Sequence, residues 1–311
     1  SVVVIGSANL DRSVRVETHP RPGETILGSM ATMGAGGKGL NQAIAAARAG
    51  AATRFVGAVS ADEAERTIRD ALSGSGVSPL LAWSDEPSGE AFVMVGKDGE
   101  NAIVVVPGAN ADSRALGGEV DAVGVTLSPT DVVLTQLEIP IEVVTGAHTI
   151  ARQRGATTIL NAAPSSSLPD ALLAATDILV VNEHECADLT EHRYADTVGA
   201  ARELARRVET VIVTQGGRGA LLASHDGVAH VDAHRVDVVD TTAAGDTFCG
   251  ALAARIAEGR RITDAVRYAM AAAALAVQRP GAAGSIPSRR ETQEFLAGID
   301  ARSSVSGRRR A

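Results

Sequence analysis

Val2-Val3-Val4-Ile5-Gly6 opens the chain with four consecutive apolar, β-branched residues and a glycine. A strand with one wet face alternates apolar and polar positions. An unbroken apolar run belongs to a strand covered on both faces. Similar runs recur at Asp131–Leu134, Thr157–Leu160, Ile178–Val181 and Val211–Val213. Helical patterns lie between them, at Asn41–Ala49, Ala64–Leu72, Ile141–Arg152 and Ala200–Arg207. Strands alternating with helices imply an α/β fold, a mostly parallel sheet with helices on its faces. Ligands in such folds bind at the carboxyl ends of the strands.

Two segments depart from this alternation. Ser13–Met33 mixes polar and apolar residues around Pro20-Arg21-Pro22-Gly23. Glu90–Val106 reads as a hairpin, Ala91–Gly96 and Asn101–Val106, turning at Lys97-Asp98-Gly99-Glu100. Antiparallel pieces inside an α/β chain form a small accessory sheet, here expected as a lid made from about 13–33 and 78–107. The lid is an insertion into one domain, 1–300, and residues 301–311 are expected as a flexible tail.

Composition narrows the function. A chain of 311 residues with 45% apolar and 21% charged residues is globular, not disordered along its length. No apolar run reaches the length of a spanning helix; the longest, Ala265–Val277, is short and carries Arg267. The chain starts on a strand-like run, from which no secretion signal is expected. A formal net charge of −8 disfavours nucleic acid or an anionic membrane as partner. The basic cluster Arg308–Arg310 reads as solvated tail. Two cysteines, Cys186 and Cys249, make no disulfide framework, which suits a reducing cytoplasm.

Gly34-Ala35-Gly36-Gly37-Lys38-Gly39 matches G-x-G-x-x-G, yet it follows the lid segment rather than the first strand, so a dinucleotide site is a weak reading. It is no Walker A loop, because Gly39 follows Lys38. What remains is a glycine turn opening a helix near Asn41, either for close approach to a small ligand or simply for tight helix entry.

Asp240-Thr241-Thr242-Ala243-Ala244-Gly245-Asp246-Thr247-Phe248 carries the chemistry. Small residues lead into a helix from about Gly245 to Ile256. Free amides at a helix N-terminus can hold a phosphate in transfer. A carboxylate at that mouth, Asp246, can take the proton of an attacking hydroxyl. A lone Asp there would by default be a carboxylate favouring the helix dipole. The glycine-alanine approach and Asp240 shift the reading toward catalysis.

These blocks resemble the PfkB-type sugar kinases over residues 2–296, and within them the ribose-kinase branch. The signatures are Gly34–Ala49 and Asp240–Gly250. Supporting them in order are Gly6–Asp11, Asn161–Pro164, Val181–Glu185, Thr214–Gly219 and Arg279–Ser285. The resemblance implies three α/β/α layers with a small antiparallel β lid. It implies Asp246 as base, with the amides of Ala243, Ala244 and Gly245 as anion hole. Asn9, Asp11, Gly37, Lys38, Asn41 and Glu138 would close on the sugar; Lys38 alternatively meets phosphate. Thr214, Gly216, Gly217 and Gly219 would lie against ATP, and Asn182 and Glu185 near phosphate and Mg²⁺. A K⁺ site would use Asp240, Thr242, Ala276, Arg279, Gly281 and Ser285. Two positions depart from the family pattern: Cys249, often Asn, expected to change packing behind the helix, and Glu65, usually Gly.

The implied activity is ATP-dependent phosphorylation of D-ribose at its primary hydroxyl. The alternatives are a kinase for 2-deoxyribose, fructose or a nucleoside, or a silent sugar-binding regulator. Exposed edges and apolar surface on the lid point to a homodimer through it.

Overall fold

A computed structural model describes residues 1–97 and 101–307. β1 (Val2–Ile5) is followed by β2 (Asn9–Val16), β3 (Gly28–Gly36), α1 (Lys38–Arg48), β4 (Thr53–Val59), α2 (Glu63–Gly74) and β5 (Val77–Trp83). Next come β6 (Gly89–Val95), β7 (Asn101–Val106), α3 (Ser113–Gly124), β8 (Val132–Thr135), α4 (Ile141–Gln153), β9 (Thr157–Asn161) and α5 (Asp170–Ala174). β10 (Ile178–Asn182), α6 (Glu183–Leu189), α7 (Thr197–Leu204), β11 (Thr210–Thr214), β12 (Ala220–Ser224) and β13 (Gly227–Val231) follow. α8 (Ala244–Ala257), α9 (Ile262–Ala276) and α10 (Arg289–Gly307) end the chain.

The large sheet runs β13-β12-β11-β10-β9-β8-β1-β4-β5. Pairing is parallel from β5 to β11 and antiparallel only where β12 and β13 close one edge. The unbroken apolar run of β1 has the expected cause. Val2 and Val4 join the core cluster of α1 and α8, with Ile44 and Leu252. Val3 and Ile5 join the cluster on the other face, with Leu116 of α3 and Val144 of α4. Successive side chains point to opposite faces, and helices cover both.

The small sheet is β3-β2-β6-β7. Its hairpins are antiparallel, and β2 joins β6 in parallel. It differs from the expected lid in two ways. It begins at Asn9 rather than Ser13, because the chain passes from β1 of the large sheet straight into β2 of the small one. Val77–Trp83 does not belong to it: this stretch is the edge strand of the large sheet, paired with β4, and Trp83 is exposed there. The C-terminus differs too, since α10 carries residues 301–307 of the expected tail in helix. Arg308–Arg310 and the turn residues Asp98, Gly99 and Glu100 lie outside the described residues.

α1 and α8 pack closely because small residues line their contact. A Cβ on Gly250 would stand 2.3 Å from the Gln42 carbonyl oxygen and 2.5 Å from Ala45 Cβ. A Cβ on Gly39 would stand 2.6 Å from backbone atoms of Gly6 and Ser7, so the start of α1 lies against the turn after β1. These two approaches bring the N-termini of α1 and α8 together at the carboxyl end of the sheet.

Candidate active site

Ala243 precedes α8 in the left-handed conformation, φ 58°, where a Cβ costs about 1–2 kcal/mol. The Thr247 N–H donates to the Ala243 carbonyl at 2.8 Å, whereas the amides of Gly245 and Asp246 have no carbonyl acceptor among the described residues. The expected anion hole needs one correction. The Ala244 N–H donates to the Thr241 carbonyl at 3.2 Å, closing a turn, whereas the Ala243 and Gly245 amides have no backbone acceptor among the described residues and the Asp246 amide stands open beside them. Beyond its chain neighbours and its own helix backbone, nothing lies within 4 Å of a Cβ placed on Gly245, which leaves open space at the start of α8.

The Asp246 carboxylate is buried. Its Oδ2 accepts from Asn41 Nδ2 at 3.2 Å and its Oδ1 from Gln42 Nε2 at 3.0 Å. Burial raises its pKa, opposed by the charge of Lys38 and the donors Gln42 and Asn41. Lys38 lies among negative groups. Burial works against its ammonium, but Asp246, Glu138 and Glu185 outweigh it and hold its pKa above the ordinary value.

The expected sugar contacts converge from β2, α1 and the turn after β8. Asn9 is buried, and its Oδ1 accepts from Asn110 Nδ2 at 2.7 Å, which leaves its own amide as the donor it can offer a ligand. Asp11 Oδ1 is buried with no hydrogen-bond partner. Burial, then the charges of Glu138 and Asp246, push the Asp11 carboxyl up to about 7. Such a group is an acceptor waiting for donors. A Cβ on Gly36 would lie 2.0 Å from Asp11 Oδ2, so the glycine makes room for the carboxylate. Gly37 enters α1 at φ 96°, a conformation suited to glycine. Glu138 Oε2 accepts from Ser7 Oγ at 2.6 Å and the Lys38 N–H at 3.0 Å.

On the other side of Asp246 lies a cavity of about 210 Å³, lined by Lys38, Asn161, Asn182, Glu185, Thr214, Ala243, Ala244, Gly245 and Cys249, among others. Lys38 therefore reaches the side expected for phosphate. Cys249 lines the same cavity, rather than only packing behind the helix as expected. Asn182 and Glu185 also form a capping box on α6: Asn182 Oδ1 accepts the Glu185 N–H, and Glu185 Oε2 accepts the Asn182 N–H, both at 2.8 Å. The N-x-x-E spacing thus has a structural role of its own. Burial raises the Glu185 pKa, and its second oxygen is free of hydrogen bonds among the described residues, which fits water-mediated contact with Mg²⁺.

Gly216 and Gly219 sit at φ 54° and 108°, where they shape the turn after β11. Gly217 does not line the cavity of Asp246. It faces a separate open cleft of about 820 Å³ with Glu183, Arg218 and His230.

Asp240 joins the two segments expected to hold K⁺. Its Oδ1 accepts from the Thr242 N–H at 2.9 Å and hydroxyl at 2.6 Å, and its Oδ2 from the Gly281 N–H at 2.8 Å. These donors outweigh burial and lower its pKa. Ser285 is buried, and its hydroxyl donates to the Ala282 carbonyl at 2.8 Å. The Arg279 guanidinium turns away to Glu291 at 2.6 Å, so only the backbone of Arg279 remains for a cation. Ala276 ends α9 one turn away, its carbonyl accepting the Arg279 N–H at 3.1 Å. An all-oxygen donor set of this kind suits a hard monovalent cation.

Residues outside the expected set complete the site. Gln42, Gln136, Asn161 and Asn110 are buried polar side chains at strand or helix ends. For Gln136 and Asn161 the signal was present in sequence as polar residues directly following apolar strand runs, in Thr135-Gln136 and Leu160-Asn161.

The pfkB family carbohydrate kinase model matches residues 1–289. Ribokinase from Haemophilus influenzae is 36% identical over 303 residues, 95% of this chain and 98% of that protein. Deoxyribokinase from Salmonella typhi is 33% identical over 303 residues, again 95% and 98%. The structure of Arabidopsis thaliana ribokinase complexed with ribose and ATP is similar at TM-score 0.84 and 33% identity, over 95% of this chain and 98% of that one. No described helix is long and apolar enough to cross a membrane. Full-length similarity of this degree and a buried carboxylate at an open helix N-terminus lead to one conclusion: this chain belongs to the pfkB family of carbohydrate kinases and is a phosphotransferase acting on an alcohol group.

Proposed function

We propose that this kinase transfers the γ-phosphoryl group of ATP to the primary hydroxyl of D-ribose, giving ADP and ribose 5-phosphate. The observation that carries the reading is the position of Asp246. It lies near Asp11, the proposed sugar-side group, which feels its charge, and lines the cavity at the open amides of α8. The hydroxyl oxygen bonds to phosphorus as the β–γ bridging bond breaks, and Asp246 takes the hydroxyl proton. The amides of Ala243, Gly245 and Asp246, with Lys38, stabilise charge on the transferring group.

Asp11 as acceptor and Asn9 as donor form a pair suited to two neighbouring sugar hydroxyls. A sugar lacking one would leave a buried polar group unpaired. This favours D-ribose over 2-deoxyribose, a choice that similarity alone does not make, since relatives of both names match at comparable identity. 2-Deoxyribose, fructose or a nucleoside remains the alternative substrate, and a silent sugar-binding regulator the alternative role.

Glu185, through water, and Asn182 would hold Mg²⁺, which when bound neutralises nucleotide phosphate charge. Oxygens of Asp240, Thr242, Ala276, Arg279, Gly281 and Ser285 would hold K⁺, which when bound braces the loop ahead of α8. We further propose a cytoplasmic homodimer through the small sheet, where Met30, Phe92, Ile103 and Val105 stand exposed. A monomer in light scattering at micromolar concentration would refute that pairing.

The function is tested by ADP release with Mg-ATP across D-ribose, 2-deoxyribose, fructose and adenosine, in K⁺ and in Na⁺. D-Ribose should turn over best, and faster in K⁺. Preference for another sugar would refute the Asn9/Asp11 argument. Binding without turnover would favour the regulator.

A further inference from the structure

We propose that Gln136 and Gln42 form a buried relay that holds Asp246 in place as an ionised acceptor, Gln136 setting the orientation of the Gln42 amide and Gln42 gripping the carboxylate. The proposal rests on reading Asp246 as the base.

Gln42 and Gln136 are fully buried. Gln42 Nε2 donates to Asp246 Oδ1 and to Asn161 Oδ1, both at 3.0 Å. Gln42 Oε1 accepts from Gln136 Nε2 at 2.7 Å. Both amide hydrogens and the carbonyl oxygen of Gln42 are therefore engaged. Turned over, the amide would set its oxygen against two acceptors, Asp246 and Asn161, and its NH₂ against the NH₂ of Gln136. One orientation is permitted: Asp246 and Asn161 both call for the NH₂ of Gln42, and Gln136, whose own Oε1 has no partner, meets its oxygen from just after β8. Asn41 lacks this constraint: its Nδ2 reaches Asp246, but its Oδ1 has no partner. Asn41 is thus held by Asp246 alone, whereas Gln42 is held at both ends of its amide.

The room for the relay is made by Gly6. A Cβ there would lie 2.0 Å from Gln136 Oε1. The relay thus joins four separate segments: the turn after β8, α1, the end of β9 and the N-terminus of α8.

Its effect on the base has a definite sign. Burial favours the protonated, inactive form of Asp246. Lys38 of α1 and the donors Gln42 and Asn41 oppose this; Glu138, after β8, reinforces it. Asp11 of β2 and Cys249 of α8 also couple to Asp246, and Glu185 of α6 shares its cavity. Among these, Gln42 is the donor whose direction is fixed by a further buried residue.

The experiment measures steady-state ADP release from about pH 5.5 to 9 for wild type, Gln42→Met, Gln136→Met, the double variant and Asp246→Asn. Losing a hydrogen bond to a charged group corresponds to about a tenfold to hundredfold loss in kcat and about one unit on a pKa. Gln42→Met should therefore lower kcat by about that much and move the acid limb upward by about one unit, with the sugar KM within about threefold. Gln136→Met, which leaves the Asp246 contacts in place, should move the limb in the same direction by less. The double variant should be no worse than Gln42→Met, because Gln136 acts only through Gln42. An unmoved acid limb in both single variants, or additive losses in the double, would overturn the relay. Near wild-type kcat in Asp246→Asn would overturn the base reading itself. Should Gln42→Met fail to fold, Gln136→Met carries the test alone: an unmoved limb with normal kcat refutes the relay.

Discussion

Asp11→Asn should stabilise the sugar-free protein while weakening sugar binding, and the stabilisation should depend on pH. In the native chain the Asp11 carboxyl is raised from 3.8 to about 7, first by burial and then by the charges of Glu138 and Asp246. In the unfolded chain it returns to its ordinary value. Between the two values the native state holds a proton that the unfolded state has released. Stability therefore falls as pH rises from about 4 to about 7, and above that the full penalty applies. At 1.36 kcal/mol per unit, a gap of about three units is worth about 4 kcal/mol as a ceiling. Asparagine removes the titration. Urea denaturation at about pH 4.5, 6 and 8 should show a stability advantage for the variant that is small at the lowest pH and grows to as much as about 4 kcal/mol at the highest. The KM for D-ribose should rise by about tenfold or more, since a charged acceptor is lost. A stability difference independent of pH, or a variant less stable than wild type at pH 8, would refute the reasoning. The carboxylate would then not be the destabilised group that ligand hydroxyls relieve.

Other consequences follow from single residues. His148 is buried and neutral between Thr135 and Thr176, its pKa lowered to about 3 by burial. Its unfolded value lies near 6.5, so stability is fully present above that pH and lost as pH falls toward 3, with a slope approaching about 1.4 kcal/mol per unit. His148→Gln should flatten the acid side of the stability curve, measured by urea denaturation between about pH 4 and 7. Gly39→Ala places a Cβ 2.6 Å from backbone of Gly6 and Ser7, and should cost about 2–3 kcal/mol in thermal unfolding. Asn182→Ala removes one half of the α6 capping box and should cost about 1 kcal/mol, which Asn182→Ser should largely recover.

Much of this was legible in the chain because its physical signals are local. Val2–Ile5 could be read as a doubly covered strand from four residues, since burial on both faces is what removes alternation. Asp240–Asp246 announced an open helix N-terminus through small residues and a carboxylate. What stayed hidden depends on neighbours distant in sequence. Val77–Trp83 looked like lid because it adjoins the hairpin, and only its pairing with β4 places it at the edge of the large sheet. The Ala244 amide looked free, and the left-handed Ala243 is what folds it back onto Thr241. Asn182 and Glu185 satisfied a ligand motif and a helix cap with the same spacing. Gln42 and Gln136 are 94 positions apart, and nothing in either segment alone reveals that one orients the other.

The most direct test of the central claim is kcat for D-ribose phosphorylation by Asp246→Asn, with the folded state checked by circular dichroism and ribose binding by calorimetry. The account predicts a folded protein that still binds ribose while kcat falls by about 10²–10⁴-fold, the range for losing a general base. A kcat within a few fold of wild type would contradict it and remove Asp246 from the chemistry.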